Sequence, residues 1–440
     1  GLAKLVGQGT LDLMGETSAT QFDLNINIPN VADLGMLNGH RMREQSFTLK
    51  ANVTGSDRQE IRVDNLHATL GPSDIEGDVL YRLGEVPTLS MQIESDSLVL
   101  APIIEEPVEY DPTPEFDDNR LIPDIAVPFD AMARMDSSIS VDIGELRRGT
   151  LYLRDIILRA NVSDGVFELS EVSFLAASGA LTARGKLDPH DGQGVAKVEL
   201  VARDFALGMS ELNRDAAMVG DIDVNLSSTG TDLRTLLGNA TGVFFVNARG
   251  GRMANNKFLQ ALYGSLLDEI VGTINPFSKT EEYTDFECVI LPVEVKDGIL
   301  SSNPNSLVAT DKMQIVTKSE INLKDESMDT NIRTTPKKGI SISAGEIINP
   351  YIKVVGTLAE PRLAVDETGV LLSGGAAVAT GGLSVLARAA WTRLARAQDP
   401  CAELAEESKN ALSDQFPDLT VEIIEPPAAP QAEPVEQESQ

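Results

Sequence analysis

Regular alternation of apolar and polar residues constrains the fold of this chain more than any other feature of its sequence. In residues 313–324, Met313, Ile315, Ile321 and Leu323 share one parity, and the other parity is polar apart from a single valine. Successive side chains of a β-strand point to opposite faces of the sheet, so this period of two predicts a strand with one apolar and one polar face.

Shorter alternating runs recur earlier in the chain. Residues 23–28 alternate and end at Pro29, and further runs follow at a spacing of roughly ten residues, with turn residues such as Gly55 and the Asp164-Gly165 pair between them. This pattern is typical of an all-β array. We therefore predict a mainly β fold, an elongated repeat-type twisted β-sheet or open groove, with a few helices and a Gly/Ala-rich helical tail.

The β-rich segments group into three blocks, residues 1–100, 130–218 and 219–366. In the last block, apolar residues of 255–271 recur at spacings of three and four, which predicts a helix that caps one end of a β-layer or binds a partner. A shorter helix is predicted within 230–238.

A linker at 101–129 separates the first two blocks. It holds six prolines and clustered carboxylates. Because proline removes backbone donors and like charges repel, we expect this linker to be extended or disordered. Its carboxylates lack the spacing of an EF-hand, so a calcium site is not predicted.

Two tails follow the β-rich blocks. Residues 367–400 are rich in Gly and Ala and predict a helical tail, and residues 401–440 form an acidic tail that should be disordered from about 426. The first tail has three interpretations: a helix packed on protein, a membrane-associated segment, or a membrane span. In the membrane-associated interpretation, the contacting residues are Leu371, Leu372, Val378, Leu383, Leu386 and Trp391.

The formal net charge of the 440 residues is -31. Binding to nucleic acid needs a basic surface, so this charge argues against a nucleic-acid partner. It also disfavours docking on anionic lipid by electrostatics alone.

Motifs for catalysis or cofactor binding are missing from the sequence. It contains no P-loop, no dinucleotide-binding glycine motif, no nucleophile elbow and no zinc-protease motif. His190 lies in a turn-like segment, and neither Cys288 nor Cys401 has metal-ligand spacing. We predict no enzyme activity, no catalytic residue, no cofactor and no metal site. For the two cysteines, a disulfide and a pair of buried thiols both remain open.

The C-terminal part of the chain resembles the AsmA family of bacterial envelope proteins. The resemblance lies in residues 295–300 (VKDGIL), in the polar strand 318–323, in residues 355–358 (VGTL) followed by Pro361, and in a small-residue tail followed by Asp-Pro-Cys at 399–401. It implies a periplasmic, non-enzymatic protein that supports phospholipid transport between the inner and outer membranes through an apolar β-groove.

The resemblance also implies an N-terminal membrane anchor. The first residue is Gly1 rather than methionine, so we expect a fragment or a processed form attached to the inner membrane through a segment outside this chain. The groove-lining candidates are Met313, Ile315, Ile321 and Leu323. The alternation itself is compatible with an open groove and with a closed core. The alternative function is an outer-membrane protein assembly or targeting factor that acts by protein-protein contacts with other envelope proteins.

Overall fold

A computed structural model describes most of the β-rich part of the chain. The described residues are 4–11, 20–37, 40–56, 59–100, 120–148, 151–176, 179–190, 192–207, 218–254, 283–302, 304–337, 352–365 and 399–415. The predicted helix 255–271, residues 101–119 of the linker, and most of both tails lie outside these ranges.

Twenty-two strands make up most of the described chain. The first thirteen are β1 (Lys4–Leu11), β2 (Thr20–Ile28), β3 (Met36–Leu37), β4 (His40–Arg41), β5 (Phe47–Ser56), β6 (Glu60–Leu70), β7 (Ser73–Arg82), β8 (Thr88–Val99), β9 (Asp136–Arg148), β10 (Leu151–Ser163), β11 (Val166–Ala176), β12 (Gly179–His190) and β13 (Gln193–Leu207). The others are β14 (Met218–Gly230), β15 (Thr241–Ala254), β16 (Tyr283–Lys296), β17 (Ile299–Ser302), β18 (Ser306–Thr310), β19 (Met313–Asn322), β20 (Ser327–Pro336), β21 (Ile352–Thr357) and β22 (Pro361–Val365).

The described helices are short and few. They are a 3-10 helix (Val31–Leu34), α1 (Phe129–Met132), α2 (Leu233–Gly238) and α3 (Pro400–Gln415). The prediction of a mainly β fold with a few helices is confirmed.

Twenty of the described strands form one long twisted sheet, and β3 and β4 form a separate pair. Strands that follow one another along the chain are mostly neighbours in the sheet, which forms an antiparallel meander from β1 to β22. The two short strands β17 and β18 share one position in this order, because each of them pairs with β16 on one side and with β19 on the other. The exception is β8, which pairs with β9 in parallel. A parallel pair needs a long return connection, and the acidic linker at 101–129 lies at this point of the chain.

Asp-Gly pairs set two of the tight turns. Asp164 and Gly165, between β10 and β11, have φ of 52° and 79°, and Asp297 and Gly298, between β16 and β17, have φ of 51° and 77°. Two consecutive left-handed residues define the turn whose twist matches a hairpin. The turn predicted at Asp164-Gly165 is present and joins β10 and β11 as a hairpin.

Three β-bulges carry Asn or Asp in the left-handed region, at Asn65, Asp155 and Asp204. A bulge inserts one extra residue and increases the local twist. The bulge at Asn65 lets Val63 and Leu66 lie on the same face of the sheet although they are three residues apart.

Three of the described helices have an N-terminal side-chain cap, and α2 and α3 are two of them. The side chain of Asp232 accepts from the Thr235 amide in a capping box that begins α2, which lies within the helix predicted at 230–238. The side chain of Asp399 accepts from the Ala402 amide at 3.0 Å at the start of α3. The sequence analysis missed α3, although proline at the first helical position is a helix-start signal.

Helix α3 covers one face of the sheet at β16 and β18. A disulfide joins Cys401 in its first turn to Cys288 in β16, with Cα atoms 6.1 Å apart. The buried cluster between the helix and the sheet is Val243, Phe245, Cys288, Ile290, Leu307, Ala309, Val316, Leu404 and Leu412. The disulfide alternative left open by the sequence is therefore the observed one. Val316, the apolar exception in the alternation of β19, is buried because α3 covers its face.

The opposite face of the same strands is also buried in places. One cluster consists of Met313, Ile315, Ile332, Ile352 and Val354, and another of Met218, Val246 and Ala248. The region β14–β21 therefore holds the closed core of the described chain.

Candidate apolar binding face

The register of the sheet aligns one residue from almost every strand into a single row. Residues directly opposite one another in neighbouring strands project to the same face. Each residue of the row lies directly opposite the next one on the neighbouring strand. The row runs Gly9, Phe22, Val53, Val63, Val79, Met91, Ile139, Ala160, Leu169, Gly185, Val198, Leu226, Gly242, Val295, Leu300, Ile321, Met328, Gly356 and Pro361. Every member is apolar or glycine.

A second row runs beside the first. Its members are Leu66, Gly77, Ile93, Val141, Leu158, Val172, Ala183, Leu200, Val224, Phe244 and Val293. We call the side of the sheet that bears these two rows the apolar face. It continues across the parallel β8–β9 junction, where Met91 opposes Ile139 and Ile93 opposes Val141.

The apolar face is only half-buried over β2–β13. Phe22 remains 37% exposed, Val198 46% and Ile61 51%. Among the described side chains of these strands, no Ile, Leu, Val, Phe or Met is buried. A second packed layer buries the large apolar side chains beneath it, so these strands do not form a closed sandwich core.

The opposite face carries charged pairs between neighbouring strands. Arg159 donates two hydrogen bonds to Asp142, at 2.7 and 2.9 Å, and Arg82 donates to Glu60 at 2.8 Å. The hydrogen bond from Arg82 lowers the pKa of Glu60. Over β2–β13 this face is therefore suited to water, and this part of the sheet is amphipathic.

Glu199 on β13 illustrates the electrostatics of the polar face. Partial burial raises its pKa, but hydrogen bonds from Arg184 and Lys197 outweigh this effect and leave the pKa lowered. The carboxylate therefore stays charged, held between Arg184 on the neighbouring strand β12 and Lys197 on its own strand.

The structure places the four predicted groove-lining residues in different surroundings. Ile321 is half-buried and belongs to the first row. Met313 and Ile315 lie within a buried cluster, with 0% and 9% exposure. Leu323 is half-buried in the turn after β19, and its amide donates to the Gly298 carbonyl. That these four line a lipid groove stays a prediction.

The remaining predicted site residues lie outside the described ranges. These are Leu371, Leu372, Val378, Leu383, Leu386 and Trp391. None of the residues in the half-exposed part of the apolar face, in β2–β13, was named among the predicted lining residues. Its alternation was visible strand by strand, but the alignment between strands was not.

Comparison with known protein families supplies one finding. Residues 125–305 match the AsmA family model. This match supports the family assignment predicted from the sequence. It spans β9–β17 and includes the quoted piece at 295–300, and it ends before the other quoted pieces. No curated protein and no solved structure matched the chain.

Two further observations bear on membranes and metals. In the part of the chain that the structure describes, no helix is both long and apolar enough to cross a bilayer. Within the same residues, no three His, Cys, Asp or Glu side chains are grouped to hold a metal ion. The absence of a metal site from the whole chain stays a prediction.

Proposed function

We propose that this chain is a non-enzymatic envelope protein that binds the acyl chains of phospholipids on its apolar face. In this role it supports phospholipid transport between the inner and outer membranes. The observation that carries the proposal is the uninterrupted apolar row, which crosses β2–β13 while its side chains stay half-exposed. The family match and the long sheet fit an envelope function.

The dimensions of the face suit acyl chains. The ten neighbouring strands of the main sheet within β2–β13 are spaced about 4.8 Å apart, so the row extends for roughly 43 Å along the sheet. The hydrocarbon core of a bilayer is about 30 Å thick, so one acyl chain needs roughly 15 Å. The row therefore accommodates at least two chains in series.

The driving force is burial of apolar surface. Each CH₂ group moved from water to an apolar surface contributes about 0.8 kcal/mol. An acyl chain on the half-exposed side chains also removes their remaining apolar area from water. The headgroup stays in water at the edge of the face, so no charged group has to be buried.

The Cys288–Cys401 disulfide supports a periplasmic location for the protein. Disulfides form and persist in oxidising compartments such as the bacterial periplasm, and the disulfide here joins the buried Cys288 to Cys401 in the first turn of α3. We place the protein in the periplasm, attached to the inner membrane through a segment outside this chain.

Adjacent residues of β7 provide a matched test. Val79 lies on the apolar face and Leu80 on the opposite face, and both are half-buried aliphatic side chains. The wild type, Val79→Asp and Leu80→Asp would be purified without detergent and their bound phospholipid measured by mass spectrometry. We expect Val79→Asp to lose most of its lipid, because an acyl chain cannot solvate a carboxylate. Leu80→Asp should retain wild-type lipid.

Two outcomes would refute the proposal. Equal lipid in both folded variants would show that lipid is not held by the apolar face. A folded wild type without phospholipid would favour the alternative of an outer-membrane protein assembly or targeting factor.

One observation favours that alternative. Among the described strands, β1 pairs only with β2, and its Leu5 is 69% exposed. An edge strand with an apolar side chain can accept an incoming strand. A photo-crosslinker at Leu5 that captures an unfolded outer-membrane protein, in a preparation free of phospholipid, would support assembly over transport.

A further inference from the structure

The end of the linker runs along one end of the sheet. We call residues 120–133 the strap. The Val127 amide donates to the Thr231 carbonyl at 3.0 Å, and the Leu233 amide donates to the Ile125 carbonyl at 2.9 Å. The strap therefore crosses the start of α2, at the end of the sheet where β14 finishes and β15 begins.

A buried carboxylate fixes the first residues of the strap. Glu326, in the turn between β19 and β20, is 1% exposed. Its side chain accepts from the Leu121 amide at 2.6 Å and from the Ile122 amide at 3.2 Å, and it pairs with Arg120 at 3.3 Å. Within the described chain, the hydrogen-bond and ion-pair partners of this carboxylate all lie in the strap. A buried charge needs such partners, so Glu326 ties the strap to the closed core region.

Two further contacts extend this clamp. The guanidinium of Arg234 on α2 donates to the Ile122 carbonyl at 2.9 Å, and the side chain of Ile122 is buried. Arg120 donates to the Lys324 carbonyl. The strap is thus held at residues far from it in sequence.

The other end of the strap covers the apolar face. A Cβ atom on Gly194 would lie 2.7 Å from Cζ of Phe129 and 2.8 Å from Cδ1 of Leu187. Leu187 is on the apolar face, opposite Ala196. The Phe129 ring therefore lies over the end of the apolar face at β12–β13, in space that only glycine at position 194 leaves free.

We propose that the strap is a lid over this end of the apolar face and that Glu326 is the clamp that keeps the lid shut. The ligand that the lid admits is a phospholipid acyl chain, a point that rests on the function proposed above. Opening the lid uncovers Leu187 and lengthens the face available to the chain.

Three variants test the clamp and the lid separately. Glu326→Gln removes the charge at nearly constant size, Phe129→Ala removes the ring and leaves the clamp, and Glu360→Gln alters an exposed carboxylate paired with Arg362. Hydrogen exchange of peptides from 120–133, followed by mass spectrometry, reports clamp release. Binding of Nile red, a neutral apolar dye, reports uncovered apolar surface without requiring lipid.

We expect Glu326→Gln to raise exchange at the Leu121 and Ile122 amides about tenfold, since charge-assisted hydrogen bonds are lost, and to raise Nile red binding. Phe129→Ala should raise dye binding with unchanged exchange at these amides, and it tests the lid if Glu326→Gln fails to fold. Glu360→Gln should change neither quantity.

Three results separate a failure of the clamp or the lid from a failure of the proposed lipid-binding function. Unchanged exchange in folded Glu326→Gln would overturn the clamp, and unchanged dye binding in Phe129→Ala would overturn the lid. Incubation with phosphatidylethanolamine vesicles then tests the ligand. If wild type and variants acquire no phospholipid while exchange and dye binding change as expected, the lid stands and the proposed function falls.

Discussion

Loss of the Cys288–Cys401 disulfide should weaken the C-terminal part of the sheet about as much as the most costly single side-chain truncation there. The two cysteines are separated by 113 residues, and the loop they close contains β17–β22. Cross-linking removes conformations from the unfolded chain, and the loss grows with the logarithm of loop length. The bond should therefore act mainly on the unfolded state.

The magnitude follows from the loop length. The chain-entropy relation gives about 4.8 kcal/mol at 25 °C for a loop of this size. Truncating a buried leucine costs about 2 to 5 kcal/mol, so the disulfide stands at the upper end of that range. An isolated helix of 16 residues is marginal in water, so α3 needs its packing on β16 and β18 once the bond is gone.

Urea unfolding followed by circular dichroism measures the effect. Oxidised wild type, reduced wild type and a Cys288→Ala/Cys401→Ser double variant would be compared. We expect reduction to lower the free energy of unfolding by about 5 kcal/mol. The double variant should be insensitive to reductant, which controls for effects of the reductant on other groups.

A change below about 1 kcal/mol on reduction would contradict this reasoning. Hydrogen exchange of α3 peptides would then identify the cause. Fast exchange confined to α3 would show that the helix leaves while the sheet stays folded, so that the loop is not part of one cooperative unit.

Two other perturbations test local features. Gly298→Ala should destabilise the protein by about 1 to 3 kcal/mol in thermal unfolding, because Gly298 has φ +77° and a Cβ there would lie 2.1 Å from the Gly238 carbonyl oxygen; Gly192→Ala, with the same φ and open space, should lose less, and equal losses would contradict the clash. The hydrogen bond from Arg252 lowers the pKa of Asp285, so its stabilisation is present above the unfolded-state pKa of roughly 4 and is lost as pH falls through the lower folded-state pKa. Arg252→Gln should therefore lower Tm at pH 7 and not at about pH 2, and an equal loss at both pH values would refute an ionic origin.

Local sequence was enough to predict most of the strands. The runs around Ile26, Val79 and Ile315 alternate because half-buried strands select apolar residues at every second position. The Asp164-Gly165 turn was also readable, since two left-handed residues favour Asp and Gly. Even the bulge at Asn65 left a trace, a gap of three between Val63 and Leu66.

Helix α3 and the burial of its contacts could not be assigned in the same way. Val316 appears in the sequence as an exception to the polar parity of β19, and only the position of α3 explains it. Cys288 and Cys401 are too far apart in sequence for spacing to decide between a disulfide and two thiols. Glu326 was not singled out at all, because one carboxylate in an acidic chain carries no local signal of its buried contacts with residues 120–122.

The sequence by itself determined that this protein is mainly β, because a period of two is a local property of each strand. The tertiary structure alone decided that the apolar residues of successive strands form continuous rows, that these rows stay half-exposed over β2–β13, and that buried clusters form beside them from β14 onwards. Register and burial depend on pairings between neighbouring strands and on what covers each face. Met313 and Ile315 in the core and Val79 on the open face have the same alternating pattern, and only their surroundings differ.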